Sequence, residues 1–149
     1  MATMGDSALF VNTNVLVYAN VVETPFHERA LTAINAAHEA GRTIWVNWQV
    51  IREYLVTMTR TQTFENLPRA TMLEQVDQFI ERFQIADDTA AVTERLVELI
   101  GDFKIGGKQI HDANIVATMQ VYAIPCLLTH NGEDFERFGE IIGIERIDF

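Results

Sequence analysis

The chain has 149 residues, 48% of them apolar, and sets 11 Lys and Arg against 21 Asp and Glu for a net charge of −10. That is room for one domain with a sizeable core, and it excludes a disordered chain and a protein that coats nucleic acid through bulk positive charge. Cys126 is the sole cysteine, which removes disulfide frameworks and cysteine-based zinc clusters.

No apolar run approaches the ~20 residues of a membrane helix. The opening "MATMGDSALF" has neither a basic region nor a long apolar stretch, so it does not read as a secretory signal. A soluble, cytoplasmic protein without membrane association is expected. No internal repeat or Gly/Ser/Pro linker interrupts residues 1–149, which read as a single domain. The acidic surface suits a basic partner, and metal ions between carboxylates and phosphate, or a local basic rim, would still admit RNA at short range.

In chain order, "ALFV" predicts a buried strand, followed by the polar Asn-Thr-Asn and a second apolar run in "LFVNTNVLVYAN". Phe26 to Ala40 predicts a helix stopped by Gly41. "TIWV" is a second strand, and Asn47 is placed to cap a helix through about Thr59. "RTQTFENLP" predicts a polar loop ending at Pro68, then a helix over Arg69 to Arg82 and a short strand "FQIA". Asp87 or Asp88 is expected to cap the next helix, which runs to about Ile100. "GDFKIGGK" breaks the pattern. A helix over Gln109 to Tyr122, the strand "CLLT", a short helix from Glu133 to Phe138 and a last strand "IERID" complete the chain. Strand and helix alternate throughout, so an α/β fold with a mostly parallel sheet and helices on both faces is expected. In such sheets ligands gather beyond the carboxyl ends of the strands.

Four places meet that rule. Asn12, Thr13 and Asn14 follow the first strand; Thr129, His130 and Asn131 follow "CLLT"; Glu53 lies early in the helix after the second strand; Asp112 opens the helix after the glycine-rich break. Asp112 has two readings. It suits the helix dipole, but it also shares a face with Ile115, Val116 and Met119, where a carboxylate needs a partner. Glu53 is either a solvated helix residue or a ligand. Asn12 and Asn131 suit turns and caps.

The segments "FVNTNVLVYAN", "VIREYL", "IHDANIVATM" and "LLTHNGEDFERF" together resemble the PIN-domain family, particularly VapC-type toxins of bacterial toxin–antitoxin pairs, nearly end to end. The resemblance implies a Rossmann-like, three-layer α/β/α sandwich. It implies a Mg²⁺- or Mn²⁺-dependent endoribonuclease that cuts structured RNA such as tRNA or ribosomal RNA. Such toxins usually form homodimers and are silenced by a cognate antitoxin lying across the active site. The family's motif positions fall on Asn12, Glu53, Asp112 and Asn131 as catalytic residues, with Asp112, Glu53 and Asn12 at the metal. Thr13 is implied near the metal, or caps a helix. Asp134 is an alternative carboxylate, though its place in the "DF" element suits a cap of the short helix.

Asn12 is the departure, because that position is normally aspartate. Mg²⁺ favours carboxylate oxygens, and clustered carboxylates hold it where it activates water and offsets transition-state charge. Asparagine keeps the shape and a carbonyl oxygen but supplies no charge. Weaker metal binding and sharply reduced hydrolysis in an intact fold are therefore expected. Arg52, Lys104 and Lys108, with Arg60, are candidate phosphate contacts, or ordinary surface charges. The two tryptophans of "WVNWQVIREYLVTM" belong to the core or to a partner surface. Two rival functions stand beside the nuclease: a non-catalytic module that binds RNA or antitoxin, and a phosphoacceptor signalling domain. The second would need paired acids after the first strand, and "VNTN" does not supply them.

Overall fold

Short strands bury on both faces only if helices cover them, and that arrangement is observed in the computed structural model, which describes residues 7–60 and 67–147. Five strands form one sheet: β1 (Leu9–Val11), β2 (Ile44–Asn47), β3 (Gln84–Ala86), β4 (Cys126–Thr129) and β5 (Gly143–Arg146). Their order is β3-β2-β1-β4-β5, and every pairing is parallel. Leu9 sits between Ile44 and Cys126, and Val11 pairs with Leu128. The expected α/β/α sandwich with a mostly parallel sheet is thus the fold.

The helices are α1 (Thr13–Asn20), α2 (His27–Glu39), α3 (Trp48–Met58), α4 (Arg69–Arg82), α5 (Ala90–Asp102) and α6 (Gln109–Val121), with a 3-10 helix over Gly132–Phe138. The chain first steps outward from β1 to β2 to β3, then returns to β4 and β5. Because parallel crossovers are right-handed, α1 to α4 cover one face, and α5, α6 and the 3-10 helix cover the other. Contacts of α1 with α2 and α3, and of α6 with α5 and the 3-10 helix, agree. Phe10, Leu16, Tyr54, Leu99, Ile115, Met119, Leu127, Phe135 and Phe138 fill the core and are essentially inaccessible.

Several ends follow from single residues. Gly41 closes α2 at φ +76, a left-handed conformation that favours glycine. Asn47 caps α3 by accepting the Val50 N–H at 2.8 Å. Pro68 occupies the capping position of α4, where its missing N–H costs nothing.

Three expectations change. The apolar run after Asn12 is helix α1, which the sequence left unassigned; valine-rich runs look like strands, and burial of Val15, Leu16 and Val17 decides the matter. Neither Asp87 nor Asp88 caps α5. Thr89 does, accepting from Val92 N, while Asp87 accepts the Trp48 indole N–H. Asp134 lies inside the 3-10 helix, preceded by Asn131 at the capping position, so it does not cap it. Residues 61–66 of the expected polar loop, Asp148 of the expected last strand and residues 1–6 lie outside the described residues. Among those described, no helix is long and apolar enough to cross a membrane.

Candidate active site

The strand order reverses direction between β1 and β4, which is where a parallel sheet opens a crevice beyond its carboxyl edge. Asn12 ends β1 and caps α1, its Oδ1 accepting the Thr13 N–H at 2.9 Å. Its Nδ2 donates to Thr129 Oγ1, at the end of β4, over 3.1 Å. The same hydroxyl oxygen accepts the Asn131 N–H at 3.1 Å, and Asn14 Oδ1 accepts the His130 N–H at 3.2 Å. These side chains stitch the switch point shut below the crevice.

Glu53 projects from the second turn of α3. Thr13 Oγ1 donates to its Oε2 at 3.0 Å, and Gln49 Nε2 donates to its Oε1 at 2.9 Å. Asp112 sits in the first turn of α6. Burial first, then the negative charges of Asp134 and Glu53, push its carboxyl up to about 6 despite opposing contributions from His111 and Arg137. Charges on α3 and on the 3-10 helix therefore both act on Asp112 in α6.

Asn12, Thr13, Asn14, Tyr18, Glu53, Thr57, Arg60, Asp112 and Asn131 line one open cleft of about 530 Å³. All four motif positions named from the sequence meet there. Arg60 supplies the positive charge among the lining residues. Arg52, Lys104 and Lys108 are exposed and lie outside that lining. Arg52 neighbours Glu53 in sequence, but one helical step turns it about 100° away. A groove of about 570 Å³ between α1, α2 and α4 holds none of the predicted residues.

The donor set fits a hard divalent cation in one particular way. Among the described residues, no three His, Cys, Asp or Glu side chains come together as a group able to hold a metal ion. Two carboxylates, Glu53 and Asp112, with the amide oxygens of Asn12 and Asn131, match the open mode in which Mg²⁺ keeps several waters and leaves room for substrate phosphate.

Sequence reasoning passed over Gln49, Asn114, Tyr18 and Thr57. Gln49 was detectable, because it stands four residues before Glu53, on the same helix face. Of the two tryptophans, Trp45 packs at a tilt against Tyr122 and Trp48 is 37% exposed, so core and surface share them.

Comparison with known proteins agrees with this fold. The model of the family described as PIN domain matches residues 9–141. Ribonuclease VapC48 of Mycobacterium tuberculosis is 27% identical over 134 residues, covering 85% of this chain and 89% of that protein. The crystal structure of VapBC2 from Rickettsia felis, bound to a DNA fragment from their promoter, superposes with a TM-score of 0.70 at 21% identity, over 93% of this chain and 98% of that one. Mycobacterium tuberculosis VapC20, a sarcin-ricin loop cleaving toxin, gives 0.64 at 14% identity, over 85% and 92%.

Proposed function

The chain belongs to the PIN domain family, and from that premise we propose that it is the endoribonuclease toxin of a toxin–antitoxin pair, hydrolysing phosphodiester bonds in structured RNA. The observation that carries this is the meeting of Asn12, Glu53, Asp112 and Asn131 in one cleft where Asp112 is pushed up to about 6. Its similarity to Ribonuclease VapC48 supports the reaction class. Similarity in fold to the VapBC complexes, and to a toxin that cleaves the sarcin-ricin loop, supports a cognate antitoxin as partner and a structured RNA, such as that of the ribosome, as target. A homodimer fits the same family reading.

Mg²⁺ or Mn²⁺ would be held by Glu53 and Asp112, with the Asn12 carbonyl oxygen as a neutral third contact. When bound, the ion supplies activation of water and stabilisation of charge on the phosphate. The chain's own residues prepare the rest. Thr13 keeps one oxygen of Glu53 turned to the cleft. Asn12 and Thr129 hold the ends of β1 and β4 at fixed separation. Arg60, at the exposed lip, meets a backbone phosphate and offsets the repulsion an acidic protein exerts on RNA. Asp112, in its ionised form, would supply the second charged oxygen to the ion.

Asn12 favours a second reading, in which the same cleft binds RNA or antitoxin with little hydrolysis. Incubation with structured RNAs, with and without Mn²⁺, separates them. Cleavage that needs Mn²⁺ and disappears in Glu53→Gln supports the nuclease. Tight RNA or antitoxin binding with no cleavage at any Mn²⁺ concentration supports the binding module.

A further inference from the structure

Glu53 is gripped at both oxygens, and one of the two grips reaches across to α6. Gln49 Nε2 donates to Glu53 Oε1 at 2.9 Å and also to the backbone carbonyl of His111 at 3.1 Å. His111 immediately precedes Asp112 in the first turn of α6. On the other side of the same amide, Gln49 Oε1 accepts from Asn114 Nδ2 at 3.0 Å. One side chain therefore touches the Glu53 carboxylate and the turn that carries Asp112, and is itself held from α6.

The chemistry admits only one orientation of this amide. Both hydrogens of Nε2 meet groups that can only accept, a carboxylate and a carbonyl, while Oε1 meets a donor. Turned over, the amide would set an oxygen against two acceptors. Glutamate at this position would do the same, and an apolar side chain would leave Glu53 with Thr13 alone.

We infer that Gln49, fixed by Asn114, is a positioning residue that sets the rotamer of Glu53 and the spacing between the carboxylates of α3 and α6. The inference rests on the reading of the cleft as a divalent-cation site. Partners that orient a metal ligand commonly change affinity by about 10–100-fold when removed.

Gln49→Met keeps the length and removes the hydrogen bonds; Asn114→Ala removes only the outer hold. Side-chain ¹³C relaxation in the cation-free protein reads whether Glu53 is ordered, and Mn²⁺ titration followed by electron paramagnetic resonance reads affinity, with Glu53→Gln as reference. In Gln49→Met, Glu53 is expected to average among rotamers and Mn²⁺ affinity to fall about tenfold or more, with the thermal midpoint near that of the parent. Asn114→Ala is expected to shift both in the same direction by less. A Glu53 as ordered in Gln49→Met as in the parent overturns the inference. So does Mn²⁺ affinity within twofold of the parent when Glu53→Gln has lost it. Equal Mn²⁺ affinity in the parent and Glu53→Gln defeats the cation site instead, and the relaxation result then decides the role of Gln49 by itself.

Discussion

The Asn12 amide nitrogen donates to Thr129 Oγ1 across 3.1 Å, joining the residue just beyond β1 to the last residue of the adjacent parallel strand β4. The Thr129 oxygen is fully buried and accepts a second hydrogen bond, from Asn131 N. Its own proton is free to rotate. An aspartate at position 12 would therefore receive that proton from Thr129 and still accept the Thr13 N–H, with every heavy atom in place. Shape is conserved; charge is what asparagine removes.

Asn12→Asp is accordingly expected to raise Mn²⁺ affinity and metal-dependent RNA cleavage together, by about 10–100-fold, the scale on which one charge acts at contact distance. Isothermal titration and cleavage of a structured RNA, run on both proteins, measure it. Unchanged cleavage across varied RNAs, with affinity increased, would favour the binding module.

Asp112 makes stability depend on pH. Its folded-state pKa of about 6 lies above the ordinary 3.8, so folding favours the protonated form. The contribution is fully present below about pH 4 and is lost as pH rises through about 6. Its ceiling is about 3 kcal/mol, and water reaching the half-buried carboxyl lowers the realised figure. Asp112→Asn should therefore raise the thermal midpoint at pH 7.5 and leave it nearly unchanged at pH 4. Mn²⁺ should stabilise the parent at pH 7.5, and proton release on binding should appear near pH 6, where the carboxyl is half protonated. A variant with the same stability gain at both values would assign the effect to packing.

Asn47→Ala removes the acceptor for Val50 N at the start of the helix that carries Glu53. A lost cap costs about 1–2 kcal/mol, equivalent to a midpoint lower by about 2–8 °C in a chain of this size. Denaturant unfolding checks it, and a cost below 0.3 kcal/mol would mean that α3 is held by packing alone.

Arg60→Ala is expected to weaken RNA binding and to reduce the slope of log affinity against log salt by about one unit. Lys104→Ala and Lys108→Ala, outside the cleft, should each change affinity less. Filter binding at several salt concentrations separates them. An equal loss from all three would mean that RNA runs over the α5–α6 loop as well as the cleft.

Much of this site could be read along the chain, because parallel sheets put chemistry at strand ends, where Asn12 and Asn131 stand. Glu53 and Asp112, ambiguous by themselves, were picked out by the resemblance of their motifs, and all four share one cleft. Helix α1 was not, since "VLVYAN" has the composition of a strand and only its burial between the sheet and helices α2 and α3 makes it helical. Arg52 is exposed outside the lining of the cleft, because adjacency in sequence is not adjacency on a helix. Asp134 was assigned to a cap, whereas its charge acts on Asp112.

By itself the sequence determined the alternation of strands and helices, the ends set by Gly41, Asn47 and Pro68, and the polar residues Asn12 and Asn131 beyond two of the strands. These depend on local conformational preference and on the period of apolar residues, both written in short stretches of chain. Tertiary structure alone decided the strand order, the reversal between β1 and β4, the elevated pKa of Asp112 and the bridge from Gln49 to α6. Each of those is a relation between residues separated by tens of positions, and electrostatic and hydrogen-bond energies depend on distance in space.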